Sequence, residues 1–98
     1  MTYRSRKLLD AARECPECMG CHRPNDGTIV AAHSNQLRDG KGMGTKSADY
    51  RVAFLDSACH SELDQGKTMS REEKVTFWER AHRLSIAWLF ESGKVVVK

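Results

Sequence analysis

The feature that most constrains this chain is a knot of cysteines. Cys15, Cys18 and Cys21 stand at two successive Cys-x-x-Cys spacings, and the fourth cysteine, Cys59, lies far downstream beside His60. Thiols at such spacing form a redox pair, stay buried and free, or close on a metal ion. A redox motif calls for a strand–helix–strand setting, and none surrounds this one. The chain has 98 residues, enough for one domain with a modest core, and cores of that size commonly need a staple. The N-terminus is basic, but no apolar signal-peptide stretch follows it. No apolar run approaches the 18 or so residues of a membrane span. A reducing, cytoplasmic location is therefore expected, and a metal rather than a disulfide is the expected staple.

Cys18 and Cys21 provide one knuckle for a tetrahedral zinc ion. The second knuckle falls at Asp56-Ser57-Ala58-Cys59, where Asp56 stands at the place a zinc ribbon would give to cysteine. Carboxylate oxygen is an accepted zinc ligand. The leading set for a structural Zn2+ is thus Cys18, Cys21, Asp56 and Cys59. Spacing leaves two alternatives open: Cys15 can replace Asp56, and His60 can replace Asp56 or Cys59.

The pattern along the chain predicts an α+β fold in a single domain spanning 1–98. Its core covers about 15–66 and a long C-terminal helix about 70–92. Residues 6–13 read as a short helix stopped by Pro16, and 15–27 as a loop. Residues 28–33 and 50–55 are rich in β-branched and aromatic residues and read as strands. Residues 57–65 read as a short helix closed by a glycine cap at Gly66. Ser70 and Glu73 form a capping box for the long helix. Its expected buried stripe is Phe77, Trp78, Ala81, Leu84 and Trp88. Val95 to Val97 read as a closing strand or a pairing edge.

His33 closes the first predicted strand, and its ordinary pKa suits a general base at neutral pH. His60 and Asp64 are i and i+4 on the predicted short helix, so they share a face. An imidazole and a carboxylate so placed can hold a divalent cation and leave positions open for water and a phosphate oxygen. The unremarkable alternatives are a structural histidine at 33 and a solvated residue at 64. His22 reads as a surface residue and His82 as a structural one.

A Cys-x-x-Cys knuckle, a strand ending in Ala32-His33 and a second knuckle ending in Cys59-His60 together resemble the HNH (ββα-metal) endonucleases. Residues from about Cys15 to Asp64 look most like small phage and prophage nucleases of that superfamily, related to a phage nuclease that depends on RecA. The resemblance implies a zinc-stapled ββα-metal core and hydrolysis of DNA phosphodiesters in a bacterial host. It assigns His33 as the base that deprotonates the attacking water. It assigns His60, joined by Asp64, to a catalytic Mg2+ or Mn2+. Asp49 falls about where the family's middle asparagine orients the base. Many HNH enzymes place a metal ligand just before the base histidine, whereas this chain has Ala32, so the resemblance leaves the catalytic ion to be completed by Asp49, DNA or a partner. A host or phage recombination protein such as RecA is the implied protein partner.

The chain carries 16 Lys+Arg against 13 Asp+Glu, a formal charge of +3, which is compatible with a nucleic-acid partner without requiring one. Arg38, Lys41 and Lys46 flank and populate a glycine-rich segment suited to gripping DNA phosphates. It is not a Walker loop, since Thr45 stands where the second glycine belongs. Arg4, Arg6, Lys7 and Arg13 suggest a second basic patch. The rival to a nuclease is a non-catalytic zinc-finger-like module that binds DNA or a recombinase.

Overall fold

The computed structural model describes residues 3–36, 39 and 46–97. Two short strands and three helices make up a small α+β unit. In chain order they are α1 (Arg6–Asp10) with a 3-10 turn (Ala11–Glu14), β1 (Val30–His33), β2 (Val52–Leu55), α2 (Ser57–Gln65) and α3 (Arg71–Glu91). The strands pair antiparallel, with Ala32 opposite Ala53 and His33 opposite Val52.

The elements start and stop for local reasons. Ser5 caps α1 by accepting the Leu8 N–H. The predicted 6–13 helix tightens into a 3-10 turn, and Cys15, lying before Pro16, is extended, as the proline ring demands of the residue preceding it. The first strand begins later than predicted, because Thr28 N–H is held by the Asp26 carboxylate in a local turn. The second begins at Val52, since Tyr50 lies in the turn that precedes it.

All four residues of β2 are buried, so the strand reads as an unbroken apolar run rather than an alternating one. Phe54, Leu55, Val52 and Leu89 are its largest fully buried side chains and those of its neighbour α3. Trp88 meets Phe54 edge-on at 5.9 Å between ring centroids. Three polar side chains of α3 also reach the strands. Trp78 Nε1–H donates to Ala32 O at 3.0 Å, and His82 Nδ1–H to Val52 O at 2.7 Å. Ser85 Oγ accepts the Phe54 N–H at 2.9 Å and donates to Ala81 O at 2.7 Å. On the other side of the residue, Phe54 O accepts the Met19 N–H at 2.9 Å. The strand edge is thereby closed to further pairing.

The capping box at Ser70 and Glu73 is present. Three other expectations are corrected. The buried stripe of α3 is Trp78, Ala81, His82, Ser85 and Leu89, while Leu84 is exposed; the helix turns toward the strands the face that carries its polar contacts. Gly66 is not a left-handed cap: its φ is −70°. A side chain there would collide with Glu62, and this crowding is what requires glycine. Val95 to Val97 form no strand. Val95 packs against the core and its N–H reaches back to Leu89 O, whereas Val96 and Val97 are exposed.

Ser85→Ala is expected to strand the buried Phe54 N–H and cost about 1–3 kcal/mol of unfolding free energy. Urea denaturation measures this as a lower midpoint at unchanged slope.

Candidate functional site

The end of β2 delivers Asp56 directly into the cysteine knot. Asp56 is buried and divides its two oxygens. Oδ1 accepts the Cys59 N–H at 2.8 Å and so caps α2. Oδ2 accepts from the Cys21 thiol at 3.3 Å. Cys18 Sγ accepts the N–H groups of Gly20 and Asp56, each at 3.4 Å. The ligand atoms of Cys18, Cys21, Asp56 and Cys59 all lie within 4.8 Å of one another. A four-donor set of thiols and one carboxylate can hold a metal ion and is compatible with structural zinc. The glycine inside the knuckle is needed for packing: a Cβ on Gly20 would meet Leu55 Cδ2 at 2.9 Å and the Phe77 ring more closely still.

Burial pushes the Cys59 thiol well above the ordinary cysteine range and raises that of Cys21. Burial also opposes ionisation of Asp56, but the Cys59 N–H and the Cys21 and Cys59 thiols outweigh it and hold the carboxyl below its usual value. Without a cation the Cys21 and Cys59 thiols thus keep their protons beside one carboxylate. A bound cation displaces those thiol protons, so metal affinity falls with falling pH.

Both alternatives to this set lose their footing. Cys15 is fully buried, its thiol donates to Glu17 O at 3.2 Å, and it stands outside the cluster. His60 turns along α2 to Asp64, Nε2 to Oδ2 at 3.3 Å. His22 is exposed, at φ 65°, and pairs with Glu17 at 3.0 Å.

A second constellation lies at the end of β1. His33 Nε2 meets Asp49 Oδ1 at 2.8 Å. Asp49 is itself buried and held on every side. Arg4 Nη1 donates to Oδ1 at 3.0 Å, Ser5 N–H donates to Oδ2 at 2.7 Å, and the Asp49 N–H donates to Tyr3 O at 3.0 Å. Burial works against its ionisation, but His33, the Ser5 N–H and Arg4 outweigh it and hold the carboxyl below the usual range. An ionised carboxylate only accepts. Nε2 of His33 therefore carries the proton, and in the neutral ring Nδ1 keeps a free lone pair.

A cleft of about 280 Å³ is lined by His33, Asn35, Lys46, His60, Leu63 and Asp64, among others. The structure thus gathers His33, His60, Asp64 and Lys46 at one opening, with Asp49 behind His33. His60 and Asp64 form a pair, with no third His, Cys, Asp or Glu close enough to join them among the described residues. Arg38 and Lys41 lie outside the described residues. Of the second basic patch, Arg4 is tied to Asp49 and to the carbonyls of Ser47 and Lys46, whereas Arg6, Lys7 and Arg13 are exposed, Arg6 lying 3.8 Å from Asp10. Sequence reasoning missed Arg4 and Ser5 as the supports of Asp49. Their contacts span more than forty positions, and no local spacing announces them.

Comparison with protein-family models, curated proteins and solved structures finds no match.

Two outcomes follow. Cys18→Ser and Asp56→Ala are expected to lower bound metal by elemental analysis, whereas Cys15→Ser leaves it unchanged; Asp56→Asn keeps the helix cap and loses metal affinity alone. Asp49 has a lowered pKa in the folded state, so its stabilisation is fully present above the unfolded value of about 3.9. That stabilisation is lost as pH falls through the folded value. Asp49→Asn should therefore flatten the fall of Tm below about pH 4, as read by calorimetry.

Proposed function

We propose that this chain is a metal-dependent, HNH-type endonuclease of phage or prophage origin that hydrolyses DNA phosphodiester bonds. The observation that carries this reading is the His33–Asp49 pair at 2.8 Å, opening on the same cleft as His60 and Asp64. A strand pair followed by α2, with the cysteine knot at its base, is the arrangement that the resemblance to ββα-metal enzymes implies. The knot would hold a structural Zn2+ through Cys18, Cys21, Asp56 and Cys59. No helix among the described residues is long and apolar enough to cross a membrane.

In this reading Nδ1 of His33 takes a proton from water while the water oxygen attacks phosphorus and the bond to the 3′-oxygen breaks. Asp49 holds the ring in the tautomer that can accept that proton, and Arg4 and the Ser5 N–H keep Asp49 ionised. His60 and Asp64 would hold Mg2+ or Mn2+, which supplies positive charge for the phosphate oxygens. The Lys46 side chain, at the rim of the cleft, neutralises a neighbouring phosphate. In this reading target choice falls to DNA structure or to a recombination partner such as RecA.

Purified chain with Mg2+ or Mn2+ is expected to cut DNA. His33→Ala should slow cutting by about 100-fold or more, the usual weight of a general base, and Asp49→Ala by a smaller factor. Cutting that survives His33→Ala unchanged would overturn the mechanism. No cutting with either ion, on single- or double-stranded DNA, favours the non-catalytic binding module.

A further inference from the structure

Beside the base-orienting carboxylate the chain exposes two tyrosines. Tyr3 is 52% and Tyr50 47% exposed, yet their rings meet at 5.6 Å, tilted by 44°. Paired aromatic faces left to solvent offer a surface on which a flat ring can stack. The pair is also held in place. The Asp49 N–H binds Tyr3 O at 3.0 Å, Arg4 next along is bonded to the Asp49 carboxylate and to two carbonyls, and Tyr50 directly follows Asp49 in the chain. The backbone that carries both rings is therefore held beside the group that positions His33.

Cations stand near the pair, with Arg51 also facing Asp39 at 3.7 Å. The Arg51 guanidinium lies 5.3 Å from the centre of the Tyr50 ring. Lys46 is exposed and makes no ion pair among the described residues. Fixed aromatic faces interleaved with cations are the elements that bind unpaired nucleic acid: bases stack on the rings and phosphates meet the charges. A base inside a duplex is already stacked on both faces and offers no free face to such a pair.

We propose that Tyr3 and Tyr50, with Arg51 and Lys46, form a stacking platform for a nucleobase of single-stranded or locally unpaired DNA. This deepens the nuclease reading and rests on it for the role of the cleft, since it makes an unpaired strand the substrate that is delivered to His33. Tyr3 and Tyr50 act here as binding residues and take no part in proton transfer.

The test uses the full chain with His33→Ala, so that nothing is cut, without chelator. Fluorescence anisotropy follows a labelled oligothymidylate and a blunt duplex of equal length. Replacing both tyrosines with alanine is expected to weaken oligothymidylate binding about five-fold or more, while duplex binding changes less than two-fold. Replacing both with phenylalanine keeps the rings and should restore binding to within two-fold. Tm and metal content show that each variant is folded; single Tyr50→Ala serves if the double variant is not. Equal loss on both DNA forms, or no loss on the single strand, overturns the platform. The two readings separate cleanly. Selective loss in a protein that cuts no DNA leaves the platform and removes the nuclease. Cutting by the otherwise native chain, with single-strand binding unmoved by the tyrosine changes, does the reverse.

Discussion

Asp56 is the residue on which the rest of the architecture turns. It ends β2, begins α2 and joins the cysteine knot, using a different atom for each task. Its N–H is spent on Cys18 Sγ, Oδ1 caps the helix, and Oδ2 faces the Cys21 thiol. Cysteine at this position would offer a metal ligand but not an N-cap oxygen. The cap fixes where α2 starts, and the start of α2 fixes which face carries His60 and Asp64. One side chain therefore links a candidate ligand position to the start of the helix that lines the cleft.

The opposite side of the strand pair is held by polar rather than purely apolar contacts. Trp78, His82 and Ser85 each bond to a backbone group of a strand. Two strands of four residues leave many backbone groups without a ladder partner, and burying them unpaired is expensive. Helix α3 solves this with side chains that both pack and hydrogen-bond. His82 stacks on Trp78 at 4.8 Å, so one imidazole supplies both a flat apolar face and a donor. This explains why the buried stripe of α3 departs from a pattern drawn by hydrophobicity alone: serine and histidine sit inside, and Leu84 is left outside.

The sequence made legible whatever depends on short spacing. Cys-x-x-Cys, the Asp56–Cys59 interval, the Ser70 capping box and the His60–Asp64 pair all appear in the fold, because each is settled within one turn of chain. The gathering of His33 with Asp49 was legible only through resemblance. Nothing local links a strand end to a carboxylate after a long loop, and the Arg4–Ser5 support of that carboxylate was invisible for the same reason. The expected closing strand at 95–97 failed on a different count. Three valines have β propensity, but the Val95 N–H is turned back to Leu89 O, and Val96 and Val97 stay exposed.

Under the proposed function the division of ligands between the two sites has a chemical logic. Three soft sulfurs gather in the knot and favour an ion such as zinc. One imidazole and one carboxylate stand at the open cleft, a set that leaves coordination positions free and suits a harder ion with oxygen ligands. The sites lie at the two ends of one helix turn, from Asp56 to His60, so proximity alone would not keep their ions apart. Ligand softness does so.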